Sequence, residues 1–398
     1  MTQPAYAVAR MVAPTVAEHL QLHRAALPLH DPLRPPLELL PDARAIESIV
    51  DAAFWASVRR EEGYIPKISL AFLRPMDEIR PLIFAKPLPL EPSALTRLAA
   101  AVERPGIHLG VWPNVGSQSD PTSQHWLGGP PSRTAPLMVW GTTHMVPPFC
   151  FVVEVIAPGL LVLKHRPRHE SRKFVNVAVL EGDRIKIVDE RGSQIVDCPA
   201  LLTSMLGFDT SVLNDDALNV QVQLALSMRR HGRGGILLLV PPDNDAWRES
   251  IVHPITYAVE PAFGELAVLL AQHGNMPVNE WDEAAGRAID ALAGLTAVDG
   301  ATVITARYDL LAFGAKITRR GGAVVEQIIV TEPVEGGTAE RMHPGQLGGT
   351  RHLSAAQFVH DQPGAVALVA SQDGRFTIFA WSPCDTAVHA HRVEVLLL

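Results

Sequence analysis

Cysteine is scarce: Cys150, Cys198 and Cys384 are the only three in 398 residues. They form no CxxC pair and no metal-ligand spacing. That excludes a disulfide framework and fits buried free thiols in a reducing compartment. Charge is sparse too, at 19% of residues against 47% hydrophobic, a composition of ordered globular chains. No basic excess exists, since the formal net charge is −8; this argues against nucleic acid or an anionic membrane as partner. Long apolar runs are missing as well. Residues 149–156 and 159–163 are interrupted by Glu154 and Pro158 and are too short to span a bilayer. The opening Met1-Thr2-Gln3-Pro4 has neither the basic start nor the apolar core of a secretory signal. A soluble, cytoplasmic protein is expected. The chain has no GxSxG elbow, HExxH helix, Walker A loop or Rossmann glycine fingerprint, so the common hydrolase and dinucleotide readings lack support.

Proline, by contrast, is abundant at 33 residues, and much of it falls before residue 150. Residues 27–41 read as an irregular Pro-rich arm. After it, Ile46, Ile49, Val50, Ala53, Phe54 and Val58 recur at helical spacing, with Asp42 as N-cap and Gly63 as stop. A strand over 68–73, a helix over 93–102 and a strand over 107–112 follow. Residues 113–148 read as long loops anchored by Trp126 and Trp140. Strands are expected over 149–156, 159–164, 174–180 and 184–189, the last two joined as a hairpin through Glu181-Gly182-Asp183.

Beyond about residue 200 the texture becomes α/β. Helices are predicted over 215–230, 262–273, 281–292 and 353–359. Apolar strands are predicted over 236–240, 301–306, 311–316, 324–330, 365–370 and 376–381. Alternation of this kind means one mixed sheet covered on both faces. The boundary expected from this change divides an N-terminal region, 1–200, from a C-terminal one, 201–398.

Two short segments of the C-terminal region carry the chemistry. In the first, Asp299-Gly300-Ala301 puts an acidic residue on a turn that feeds a buried strand. In the second, Gly348-Gly349-Thr350-Arg351-His352 is a glycine turn opening a helix. Free N–H groups at a helix start together with a guanidinium suit phosphate. A nearby carboxylate suits the divalent metal that accompanies polyphosphates. Taken singly, Asp299 also reads as an ordinary turn residue and Arg351 as the partner of a core carboxylate. The basic run 164–173 reads either as a solvated loop or as charge for a polyanion. His389 and His391 share one face of a terminal strand, as a metal pair or simply as surface residues.

The order of these features resembles the diadenylate cyclase (DAC) domain over residues 205–398. That family carries Asp-Gly-Ala followed by Gly-Thr-Arg-His-Arg on a mixed sheet flanked by helices. The resemblance implies an α/β fold for the C-terminal half; the N-terminal region, 1–200, reads from its own strands and helices as a β-rich α+β domain, expected to be the regulatory or sensor part. It further implies that Asp299 holds Mg or Mn, and that Gly300 and Ala301 admit the nucleotide backbone. Gly349, Thr350, Arg351 and His352 would grip phosphates, with Ser371 nearby. In the family two ATP molecules meet across a head-to-head homodimer and condense to cyclic di-AMP. This chain departs from the pattern. Leu353 replaces a second arginine, Val298 stands where many members have histidine, and Ser371-Gln372-Asp373 replaces Ser-Glu-Glu. Residues 317–322 replace a Pro-Leu-Ser segment. Each lost charge-assisted contact removes on the order of 1.5–3 kcal/mol. The expectation is therefore a divergent, sensor-type relative that binds ATP or a related adenine nucleotide and signals to a downstream effector protein. An active cyclase and a structural module with a vestigial pocket are the alternatives.

Overall fold

The computed structural model describes residues 4–27, 36, 39–60, 63–76, 79–104, 106–114, 135–166, 174–189, 220–272 and 274–398. Most of the Pro-rich arm, Trp126, Cys198, the start of the 215–230 helix and most of the basic run lie outside those residues. The chain divides into two compact units, Met1–Val188 with Leu398, and Asp189–Leu397. Both are mixed α/β.

The first unit begins with α1 (Ala7–Ala25), whose buried stripe of Val8, Val12, Val16 and Leu20 repeats every four residues. Pro14 lies within α1 on its exposed side and removes one helical hydrogen bond. In α2 (Ala43–Ser57), the Asp42 side chain accepts the Ala45 N–H at 2.9 Å, the N-cap expected from the sequence. Helix α3 (Pro92–Val102) starts with Pro92, pre-set for the first turn, and buries Leu95, Ala99 and Val102.

Eight strands form one sheet: β1 (Ser69–Phe72), β2 (Leu82–Pro89), β3 (His108–Pro113), β4 (Leu137–Thr143), β5 (Phe151–Ala157), β6 (Leu160–His165), β7 (Val175–Glu181) and β8 (Arg184–Ile187), in spatial order β2-β4-β3-β1-β5-β6-β7-β8. Among the described residues of this unit, only β1 and β3 pair in parallel. The β7–β8 hairpin turns at Gly182, with Glu181 opposite Arg184. Helix α2 lies over β5 and β6, with α1 beside it over β7 and β8. Strand β4 corrects the loop reading of 113–148. Its Trp140 is fully buried and donates its indole N–H to the Leu73 carbonyl at 2.8 Å.

Among its described residues the second unit holds nine strands: β9 (Gly235–Val240), β10 (Tyr257–Phe263), β11 (Ala301–Thr305), β12 (Leu310–Ala315), β13 (Ile328–Thr331), β14 (Glu340–Met342), β15 (Val366–Ala370), β16 (Phe376–Ser382) and β17 (Ala387–Arg392). Their order is β10-β12-β11-β9-β15-β16-β17-β13-β14. Residues alternate between two cores, as the apolar runs require. Ile236, Leu238 and Val240 pack under α7 (Thr350–Asp361) with Ala355, Phe358 and Val359. Leu237 and Leu239 pack on the other face with Leu224 and Met228 of α4 (Val220–Arg230) and Ile289 and Leu292 of α6 (Val278–Leu295). The helix predicted over 262–273 is shorter, α5 (Glu265–Ala271), because Ala262 and Phe263 belong to β10. Among the described residues no helix is long and apolar enough to cross a membrane.

Candidate functional site

Sheet register assembles the site. Strands β9 and β11 run in parallel with Ile236 beside Ala301, so both begin at the same sheet edge. Antiparallel β15 ends there, with Ala370 beside Gly235, and β12 ends there with Ala315 opposite Ala301. The edge therefore collects Gly234, Asp299, Gly300, Lys316 and Ser371. Helix α7 packs on β9, β15 and β16 and contributes its first turn.

Gly300 has φ +115°, and a Cβ there would stand 2.5 Å from the Gly314 carbonyl carbon. Only glycine permits this approach of the turn before β11 to the end of β12. The turn projects Asp299 into solvent, its side chain 92% exposed, where it ion-pairs with Lys316. That hydrogen bond and the Lys316 charge, with a further contribution from Arg351, hold the Asp299 carboxyl below its ordinary pKa. An ion pair this exposed contributes little to folding and is readily exchanged for another partner.

Helix α7 starts at Gly349, an N-cap with no side chain to satisfy the first turn's N–H groups. Thr350 and Arg351 are exposed on that turn. Gly234, at φ +72°, faces the guanidinium: a Cβ there would lie 3.1 Å from Arg351 Nη1 and 3.2 Å from the Ala370 carbonyl oxygen. His352 turns inward. It is 3% exposed, with Nε2 3.3 Å from Thr377 Oγ1 and its ring edge-on to Phe379. Burial lowers its pKa, which favours the neutral imidazole. Ala301 is buried at the start of β11. Ser371 opens a turn in which its N–H donates to the Arg375 carbonyl at 2.9 Å.

Two of the divergent positions have protein partners. Asp373 pairs with Arg375 at 3.4 Å, and Gln372 donates to the Arg233 carbonyl at 3.3 Å. Beside Gly314 lies Tyr257, stacked on Phe313 with ring centroids 4.7 Å apart and itself 46% exposed. Lys316, Gly234 and Tyr257 were not singled out from the sequence as site residues.

The two histidines near the C-terminus are interior, which corrects the surface-strand reading. β17 lies between β16 and β13. His389 Nε2 is 2.8 Å from Asp385 Oδ2, and His391 Nδ1 is 2.7 Å from Thr331 Oγ1. From the basic run, Lys164 is buried against Glu154 at 2.6 Å.

The chain thus folds as two mixed α/β units, the second with an edge built of glycine turns and a helix start. A family profile described as "Probable sensor domain DACNV" matches residues 35–120. The matched stretch lies within the first unit and takes in α2, β1, β2, α3 and β3. A sensor domain is thereby indicated, through residues separate from the C-terminal motifs. No curated protein matches the chain.

Proposed function

We propose that the protein is a nucleotide-binding sensor whose second unit holds ATP or a related adenine nucleotide by its phosphates. The observation that carries this reading is the meeting of the Arg351 guanidinium with Gly234 beside an uncapped helix start. In this reading the N–H groups after Gly349, the Thr350 hydroxyl and Arg351 take the phosphates. Gly300 and Ala301 let the backbone of the β11 turn come close, and Ser371 borders the phosphates. His352 acts as a positioning residue that braces the helix start against β16. The exposed face of Tyr257 offers a surface for the base.

Asp299 is a single accessible carboxylate beside the phosphate seat. That suits Mg²⁺ or Mn²⁺, ions held by one or two carboxylates together with substrate phosphates. When bound, the ion would neutralise phosphate charge. Lys316 would then pass from Asp299 to a phosphate oxygen. The Asp299–Lys316 pair and the loss of a second arginine at Leu353 favour binding over cyclisation. Occupancy would be read by a downstream effector protein, and a homodimer is required only by the cyclase alternative.

The test is a thermal-shift titration of the full chain with ATP and Mg²⁺ or Mn²⁺, with the same sample analysed by mass spectrometry. A stabilisation that Arg351→Ala removes, without product, is the expected result. Cyclic di-AMP formed by the wild type and lost in Asp299→Asn would establish the cyclase instead. No shift with any adenine nucleotide would refute nucleotide binding and leave the structural module.

A further inference from the structure

We propose that His19, His23 and His165 form a binding site for a zinc-class divalent transition-metal ion in the first unit. His19 and His23 are four residues apart on α1, so their side chains project from one face, one turn apart. His165 is the last residue of β6 and is fully buried. Strand alternation sends it to the opposite side of the sheet from Lys164, whose charge is already matched by Glu154. His19 Nε2 stands 3.4 Å from His165 Nε2. One ring nitrogen from each of the three histidines lies within 4.8 Å of the others.

These spacings fit a metal. A tetrahedral ion with metal–nitrogen bonds of about 2.0–2.1 Å holds its nitrogens about 3.3 Å apart. One edge of that tetrahedron is therefore already at length. The remaining closure falls to His23, half-buried on the same helix face as His19, while buried His165 serves as anchor. The His19 and His23 rings stack at 4.2 Å, and that of His165 meets His23 at 4.9 Å with the planes perpendicular.

The donor set selects the ion. Three imidazoles without a carboxylate suit zinc, copper, nickel or iron and not the oxygen-seeking calcium or magnesium. A three-histidine shell leaves the fourth tetrahedral position to water or an exchangeable anion. Because the ligands come from α1 and β6, metal would tie the first helix to the sheet and couple binding to the stability of this unit. The site gives the sensor a metal input, independent of the nucleotide reading, since it lies in the other unit and needs no nucleotide for its test.

The experiment is a titration of the full chain, free of any histidine tag and stripped with a chelator, first with Co²⁺ and then with Zn²⁺. Stoichiometric uptake is expected, with the visible d–d bands of nitrogen-ligated tetrahedral cobalt and their loss on adding zinc. His19→Gln and His23→Gln should each weaken binding by about 100-fold or more, since even outer-shell partners of metal ligands are worth about 10–100-fold. Both positions are partly exposed, so circular dichroism of these variants should match the wild type. His165→Gln should abolish binding; should it fail to fold, the two helix variants decide the matter. Absence of the cobalt bands, or unchanged affinity in both helix variants, would overturn the site and leave a stacked, hydrogen-bonded histidine trio.

Discussion

His108 offers a quantitative test of the first unit's interior. It stands on β3, only 2% exposed, with Nδ1 2.7 Å from Ser69 Oγ on the parallel neighbour β1. Burial, aided by the Lys164 charge and opposed by Glu154, lowers its pKa from 6.5 to about 4. The folded value lies below the unfolded one, so unfolding takes up a proton in the interval between them. The stability tied to the neutral ring is complete above pH 6.5 and is lost as pH falls toward about 4. Each pH unit in that interval is worth about 1.4 kcal/mol, giving a total of about 3 kcal/mol. His108→Asn keeps a partner for Ser69 and removes the titration. Urea unfolding followed by tryptophan fluorescence, at several pH values between about 7 and 4.5, compares the two chains. The variant should lose a pH-independent amount to its smaller volume, yet recover against wild type as the medium is acidified. His352 and His391, whose pKa values burial also lowers, are common to both chains and cancel in the difference. Parallel stability curves over the whole range would refute the buried neutral imidazole.

The site and the helix caps give further checks. Gly300→Ala would place a methyl group 2.5 Å from the Gly314 carbonyl carbon at φ +115°, and should cost about 1–3 kcal/mol or more, read as a fall in Tm. Asp42→Ala removes the acceptor for the Ala45 N–H and should destabilise α2 by about 1 kcal/mol in urea titrations, with little loss in Asp42→Asn. Arg351→Ala should abolish the nucleotide-induced thermal shift while leaving the ligand-free Tm nearly unchanged, because the side chain is exposed. The cobalt spectrum of the His19, His23 and His165 cluster completes the set.

The sequence was most informative where burial is two-sided and least where proline interrupts a pattern. β9 and β15 are apolar runs with both faces covered, and their periodicity marks them as buried strands. Helix α1 is not evident from the sequence, since Pro14 interrupts it, although its valine stripe holds the helix over the sheet. Strand β4 was hidden by Gly141, Thr142 and Thr143, residues typical of loops. At the site, Asp299 and Arg351 were visible because each belongs to a short contiguous motif. Lys316 was not, since it meets Asp299 through the register of β11 and β12, seventeen residues further on. The histidine cluster joins positions 146 residues apart, a distance no local pattern spans. That His352 faces inward follows from how α7 rests on β16, a tertiary fact.

Each sheet has an exposed outer strand carrying large apolar side chains: Leu82 and Ile83 on β2, Tyr257 and Phe263 on β10. Such borders are templates on which a second chain can add a strand. Both are blunted in the same manner. Strand β2 contains Pro87 and Pro89, strand β10 contains Pro261, and the pairing of each with its inner neighbour is broken by a register shift. A proline presents no N–H to an incoming strand, and an irregular ladder twists the border away from a straight partner. Replacing these prolines would therefore carry its penalty in self-association and loss of colloidal solubility more than in the folding of either sheet.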